Sequence, residues 1–335
     1  MSNVTIKEVA KKAGVSTATV SRVLNNNYPV SDITRKKVLE AIKELNFQPN
    51  NIARSLRKNT TYLIGVVVPD SSNPFFIDII RGVDKIISEE GYSLILADTE
   101  EDMEKEVNVL KKLSEKRVDA VILASSGSKN EYVKELIKRN IPVILIDRKI
   151  EGIETDLIVS DNYGGAYNLT KFLIENGHRD ICIVNGNLEV STAVERFEGF
   201  KAAMHDYNIP IYKEFILYGD FSEVKAYEEI KRMIQKGKLP TAIFTANNRM
   251  AEGVMVALQE ERLQIPDDIS LVTFEEIRNQ KLIRPKLTYI KQDGYSMGQK
   301  AGELVINKLK NNSKIMPKEI IFVCTLVINE SVRKI

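Results

Sequence analysis

Thr17, Ala18 and Thr19, followed by Arg22, are the residues whose types and spacing first suggest chemistry. Small side chains at the start of a helix let it sink into the major groove of a duplex. An arginine one turn later can donate two hydrogen bonds to guanine O6 and N7. Catalytic chemistry has no comparable signature. The chain contains no G-x-x-x-x-G-K-[ST], no G-x-G-x-x-G after a strand, no G-x-S-x-G and no Cys/His metal spacing. Its two histidines are His178 and His205. His178, in ENGHRD, sits where a helix should end, a place for capping or packing rather than catalysis. Cys182 and Cys324 lie in the apolar runs DICIVNG and IIFVCTLVI and read as buried free thiols. The expectation is a binding protein with neither enzymatic activity, cofactor nor metal.

The elements that position Arg22 begin at Thr5. Thr5 with Glu8 three residues on forms a capping box for a helix through Ala13, and Gly14 ends it. Ser16 caps a second helix to about Leu24. Ser31 or Asp32 starts a third, with Ile33, Val38, Ile42 and Leu45 as its apolar face. Pro49 breaks the pattern ahead of a short helix candidate, Asn50 to Leu56. Residues 1–58 hold eleven Lys/Arg and four Asp/Glu, a local balance of +7 that leaves −5 for the rest of the chain. A basic head on an acidic body points to a polyanion partner for the head alone.

From Thr61 the texture changes. The runs YLIGVVVP, YSLILA, VDAVILAS, PVILID, LIVSD, DICIVNG, EFILYG, TAIFTA and ISLVTF alternate with amphipathic segments near 75–90, 104–116, 130–140, 163–176, 192–207, 222–236 and 248–262. Continuous apolar strands between helices predict parallel sheets covered on both faces. So many strands exceed a comfortable open sheet, which predicts two doubly wound lobes with ligands beyond the carboxyl ends of the strands. The N-terminus MSNVTIKEVAKK has no apolar core of a signal peptide, and no stretch approaches the roughly 18 apolar residues of a membrane span. The chain therefore reads as cytoplasmic, with no membrane partner.

The segments TIKEVAKKAGVSTATVSRVLN and VSDITRKKVLEAIKELNFQPNNIARSL resemble the LacI/GalR family of bacterial transcription regulators. The likeness continues through IGVVVPDSSNPFF, IPVILIDR, VSDNYGGAYNLTKFLIENGHRDI, TAIFTANN, RPKLTYIKQD and the closing VINES. It implies an all-α helix-turn-helix head at 1–46 and a hinge at 47–59. It also implies an α/β body of the type I periplasmic-binding-protein kind, with two doubly wound parallel-sheet lobes. These lobes would be 60–161 with 292–320, and 162–291 with 321–335. In the head, the resemblance implies base reading by Thr17, Ala18 and Arg22, and DNA contacts from Thr5, Ser16, Thr19 and Ser21. In the hinge, Asn50, Ala53 and Leu56 would enter the minor groove, with Leu56 as an apolar wedge that kinks the duplex.

In the body, the resemblance implies effector contacts from Asp70, Asn73, Phe75, Asp147, Thr192, Arg196, Phe221, Asn247, Glu275 and Gln292. Carboxylates, amides and a guanidinium suit hydroxyl groups, and an aromatic suits a sugar face. Asn247 and Asn248 equally suit caps of the following helix. Three positions depart from the family's usual pattern. Thr273-Phe274-Glu275-Glu276 replaces Gly-(Phe/Tyr)-Asp-Asp, Asn247-Asn248 replaces Asn-Asp, and Arg249 is basic. Less acid and more base near the mouth suggest a sugar acid or sugar phosphate as effector.

The expected partners are a pseudopalindromic operator, a small sugar-like effector and a second copy of the chain, in a homodimer. Repression is the expected outcome. Control by a partner protein, such as a phosphorylated carrier, is the alternative. A free solute-binding protein would leave the basic head unexplained.

Overall fold

The structure is a computed structural model that describes residues 4–25, 28–47, 60–311 and 316–335. Asn50, Ala53 and Leu56 lie outside the described residues. The chain divides into two compact units, Met1–Thr61 and Tyr62–Ile335.

Among its described residues the head holds three helices: α1 (Ile6–Ala13), α2 (Thr17–Asn25) and α3 (Asp32–Glu44). Each start is set by a side chain that meets one of the unpaired N–H groups of a first turn. The Thr5 backbone N–H donates to the Glu8 carboxylate at 2.6 Å, and its hydroxyl donates to the same oxygen at 3.0 Å. Ser16 Oγ accepts from the Thr19 N–H at 3.1 Å, and Ser31 Oγ accepts from the Thr34 N–H at 3.3 Å. Gly14 ends α1 at φ 65°, in the left-handed region that glycine enters without steric cost. Val9, Val20, Val23, Val38, Ala41 and Phe47 form the core.

The sequence expectation for α3 fails at one residue. Ile33 is 73% exposed, and Ala41 is buried instead. Ile33 precedes Val38 by five positions, which turns it about 140° off the buried stripe.

The body holds twelve described strands. In chain order they are β1 (Leu63–Val68), β2 (Ser93–Asp98), β3 (Ala120–Leu123), β4 (Val143–Ile146), β5 (Leu157–Ser160), β6 (Ile181–Asn185), β7 (Ile216–Tyr218), β8 (Ala242–Thr245), β9 (Ser270–Phe274), β10 (Thr288–Lys291), β11 (Glu319–Phe322) and β12 (Thr325–Val327). They form two six-stranded sheets, ordered β11-β5-β4-β3-β1-β2 and β12-β10-β9-β8-β6-β7. The first is parallel throughout. In the second, only β12 runs antiparallel, beside β10. The central strands are buried from end to end because helices cover both faces, as their unbroken apolar runs require.

The covering helices are α4 (Pro74–Glu89), α5 (Met103–Glu115), α6 (Glu131–Lys138), α7 (Asn162–Glu175), α8 (Ser191–Asp206), α9 (Glu223–Gln235), α10 (Asn248–Glu260) and α11 (Gly294–Asn311). The last lies outside the strand–helix alternation legible in the sequence. Gly294, Gly298 and Gly302 occupy it and weaken its helical signal. Packing requires at least one of them: a Cβ at Gly298 would stand 2.1 Å from the Ile79 carbonyl oxygen of α4.

The apolar run IIFVCTLVI, inside which the lobe boundary is expected between 320 and 321, forms two strands. β11 joins the first sheet and β12 the second, so the chain changes lobes at Val323 and Cys324. Cys182 is buried as expected, while Cys324, in that crossing, is only partly buried.

Candidate functional site

The head presents an outer face on α2. Thr17, Ala18 and Arg22 are exposed, while Val20 and Val23 on the opposite face enter the core. Positions 18 and 22 share one helix face, so Arg22 projects beside the small side chains. Its guanidinium lies over the Tyr28 ring, 5.6 Å from the centroid. Ser16 and Thr19 are joined hydroxyl to hydroxyl at 2.9 Å. Thr5 is exposed at the start of α1, and Ser21 is half-buried.

In the body, the carboxyl ends of strands from both sheets face one cleft of about 590 Å³. Asp70 and Asn73 follow β1, Asp147 follows β4, Asp220 and Phe221 follow β7, Asn247 follows β8 and Glu275 follows β9. Thr192 and Arg196 reach it from the first turns of α8. Eight of the ten sequence-derived effector candidates therefore line one cleft: Asp70, Asn73, Asp147, Thr192, Arg196, Phe221, Asn247 and Glu275.

Two candidates do not line it. Phe75 turns into the first lobe's core, its ring 5.2 Å from that of Phe76. Phe76 takes the wall position instead. The α4 cap decides this: Asn73 accepts from the Phe75 N–H, which starts the helix so that residues 75 and 76 point about 100° apart. Gln292 sits behind the wall, where its Nε2 donates to Glu275 Oε1 at 2.7 Å.

The cleft stores backbone strain. Asp147 has φ 67°, Phe221 φ 60° and Glu275 φ 76°, and Asp220 beside Phe221 has φ 49°. None is glycine, and side chains in the left-handed region persist only where the surroundings impose them. Glu275 shows what imposes one. Its oxygens are approached by Gln292 Nε2, by Asn73 Nδ2 at 3.5 Å and by Arg196 Nη2 at 3.6 Å. Arg196 is itself fixed by Asn162 Oδ1 at 2.9 Å, by the Ala246 carbonyl at 2.6 Å and by the Phe274 ring, 3.8 Å away. Burial pushes the Glu275 carboxyl up to about 7, against the pull of Arg196. Burial also raises Asp147, opposed by Arg148 and Arg196.

Asn247 is both cap and wall. Its Oδ1 accepts from the Met250 N–H at 2.9 Å while the residue lines the cleft. Asn248 faces the other lobe: it and Asn73 exchange amide hydrogen bonds of 3.1 and 3.2 Å.

Sequence reasoning missed Arg148. It is buried, paired fork to fork with Glu101 at 2.6 and 2.7 Å, and lies 5.2 Å from the Phe221 ring centroid. Its position directly after Asp147 at a strand end was the available signal.

The inference from Arg249 to an anionic effector is corrected. Arg249 is engaged by Glu252 at 2.5 Å and Glu223 at 3.2 Å, with Asp70 at 3.9 Å. Among the described residues, eight carboxylates and four cationic side chains stand around the cleft. The other three cations are also paired: Arg148 with Glu101, Arg196 with Glu275 and Lys225 with Asp220. A further anion would meet net negative charge. His178 is structural, bridging Thr241 Oγ1 at 3.0 Å and the Arg333 carbonyl at 3.1 Å. Among the described residues, no group of three or more His, Cys, Asp or Glu is arranged to hold a metal, and no helix is long and apolar enough to cross a membrane.

Comparison with known proteins covers nearly the whole chain. Residues 5–50 match the family described as bacterial regulatory proteins, lacI family. Residues 61–330 match the periplasmic binding proteins and sugar binding domain of the LacI family. The chain is 38% identical over 332 residues to the HTH-type transcriptional repressor PurR of Actinobacillus pleuropneumoniae serotype 3 (strain JL03), covering 99% of each. It is 39% identical over 331 residues to the repressor of the same name from Histophilus somni (strain 2336), covering 98% of this chain and 99% of that one. Among solved structures it is similar to the lac repressor dimer bound to operator and the anti-inducer ONPF. There the TM-score is 0.87 at 26% identity, covering 99% of this chain and 100% of that one. A LacI family regulator from Enterococcus faecium with bound ribose has a TM-score of 0.74 at 28% identity, covering 82% of this chain and 99% of that one.

Proposed function

Starting from a chain that belongs to the LacI family of bacterial regulatory proteins and is a DNA-binding transcriptional repressor rather than an enzyme, we propose that its operator binding is controlled by a neutral, hydroxyl-rich small molecule held in the interlobe cleft. One observation carries the reading: among the described residues, every cationic side chain of the cleft already has a carboxylate partner, and carboxylates outnumber them. Such a wall favours groups that donate hydrogen bonds without bringing negative charge, which is the chemistry of a sugar hydroxyl. The ribose-bound relative supports this class of ligand.

The effector contacts are assigned to Asp70, Asn73, Asp147, Thr192, Arg196, Phe221, Asn247 and Glu275. On the DNA side, Thr17, Ala18 and Arg22 read bases, with Thr5, Ser16, Thr19 and Ser21 supporting. The hinge role falls to 47–59, with Asn50, Ala53 and Leu56 toward the minor groove. The working unit is a homodimer on a pseudopalindromic operator, because a two-fold site mirrors a two-fold protein.

A second reading is a flat heterocyclic base. Phe76 and Phe221 both line the cleft, and aromatic rings are the side chains on which a flat base stacks. The curated relatives at 38% and 39% identity also share one repressor name, which makes their effector a necessary comparison.

The test is fluorescence anisotropy of the full chain on a duplex selected from a random pool, titrated with neutral sugars, hexose phosphates and purine bases. A neutral sugar should change operator affinity. A response to purine bases alone would transfer the assignment to the second reading.

A further inference from the structure

We propose that Asn248 and Asn73 form an amide latch that sets the angle between the two lobes, and that operator affinity depends on this latch as well as on an effector. The proposal rests on the reading above only in that events at the interlobe cleft control operator binding. Asn73 caps α4 on the lobe of the first sheet, and Asn248 is the first residue of α10 on the lobe of the second. Both are buried, so water does not compete for their amides. Asn248 Nδ2 donates to Asn73 Oδ1 at 3.1 Å, and Asn73 Nδ2 donates to Asn248 Oδ1 at 3.2 Å.

Neither amide is free to turn over. Asn73 Oδ1 accepts from the Phe75 N–H at 3.0 Å, within its own lobe. Asn248 Oδ1 accepts from the Arg249 N–H at 2.8 Å, and its Nδ2 donates to the Glu276 carbonyl at 3.1 Å, again within its own lobe. Flipping either group would set donor against donor and acceptor against acceptor. Each amide is therefore aimed by its own lobe, and the pair closes in one register.

The identity of residue 248 decides how firmly the latch holds. An aspartate, the family's usual residue there, would keep an acceptor for Asn73 Nδ2. It would also bring an acceptor against Asn73 Oδ1, losing one bond and adding a buried repulsion. Asn248 therefore turns a one-way contact into a reciprocal one. Neighbouring residues meet along the same edge. Asn73 Nδ2 approaches Glu275 Oε2 at 3.5 Å, and Asp70 stands 3.9 Å from Arg249. Asp70 is aimed in turn by the Ser72 N–H at 2.8 Å and hydroxyl at 2.6 Å.

A reciprocal latch stabilises one lobe angle with protein atoms alone. An effector shifts that balance only by binding one angle better than another, so the latch sets the point from which it starts. Weakening the latch moves the balance with no effector added.

The experiment uses the full chain with no effector added. Spin labels on Lys112→Cys and Lys236→Cys, exposed positions on the two lobes, report the interlobe distance by pulsed EPR. The background carries Cys324→Ser, and labelled chain is diluted with unlabelled chain. Anisotropy on the selected duplex reports operator affinity. Asn248→Asp keeps the acceptor for Asn73 Nδ2 and removes the donor. Asn73→Ser keeps an oxygen to cap α4 and removes the reach across. Each should spread the distances toward longer values and change operator affinity by about fivefold. The double variant should do no more than the stronger single one, because one broken latch cannot break twice. Wild-type distances in both single variants, with or without a lowered melting temperature, overturn the latch. So do an unchanged operator affinity and effects that add in the double variant. None of these results touches the neutral, hydroxyl-rich reading, which falls only by the sugar and purine titration above.

Discussion

The reading face of the head and the wall of the cleft are built on opposite plans. In the head, Thr17, Ala18 and Arg22 stand exposed on one helix, within six positions of each other, and the helix is held by local caps and a small apolar core. In the cleft, Asn73, Asp147, Arg196 and Glu275 are buried and come from positions as much as 202 apart in sequence. Asp147, Asp220, Phe221 and Glu275 of the cleft take left-handed backbone conformations without being glycine, whereas in the head Gly14 and Asn46 do so just beyond the ends of helices. A surface that meets a polyanion needs accessible donors and charge. A pocket that selects a small molecule needs donors and acceptors locked in place before the ligand arrives, and strain and burial are what the locking costs.

The contrast predicts that the two units fail separately. Val20→Asp places an unpaired charge in a core where Val20 is fully buried. It should cost the head roughly 3–5 kcal/mol and abolish operator binding. Thermal unfolding of the body should stay as in wild type; a matching fall in the body's melting temperature would end the claim of independent units.

The next effect belongs to the cleft. Glu275 has its carboxyl raised to about 7 by burial, from an ordinary value of 4.5. The folded state therefore binds more protons than the unfolded state between those values, so stability falls as pH rises from about 4.5 to about 7 and is level above. The whole change is of the order of 3 kcal/mol. Glu275→Gln keeps an acceptor for Gln292 and should flatten that part of the profile in urea melts. An unchanged slope would assign it to another group.

A smaller effect returns to the head. Arg22→Ala should lose roughly 1–3 kcal/mol of discrimination at one base pair, with effector binding by calorimetry untouched. Equal affinity for operators changed at each position would remove Arg22 from base reading. The smallest is Ser31→Ala, which removes the side chain that accepts from the Thr34 N–H. It should lower head stability by roughly 1 kcal/mol without moving the body's unfolding, as differential scanning calorimetry would show.

How far each region was legible follows from the same contrast. The Thr5–Glu8 box, the Gly14 stop and the Ser16 and Ser31 caps are short-range hydrogen-bonding arrangements, and each forms as its residues predict. The β-branched runs became buried parallel strands because their apolar character is continuous. Ile33 went wrong because a five-residue spacing was counted into a helical stripe. Helix α11 stayed hidden because the glycines that let it approach α4 also weaken its pattern.

The amino-acid sequence by itself determined the kinds of element, their order, the charge of the head and the family. Those properties depend on residues within a turn or two of each other, or on composition. The tertiary structure alone decided that Phe76 rather than Phe75 faces the cleft, that Arg249 is neutralised by Glu252 and Glu223, and that Asn73 and Asn248 meet from opposite lobes. Each of these depends on which side chains from distant strand ends arrive within about 3–4 Å of one another, the range over which a hydrogen bond or ion pair forms.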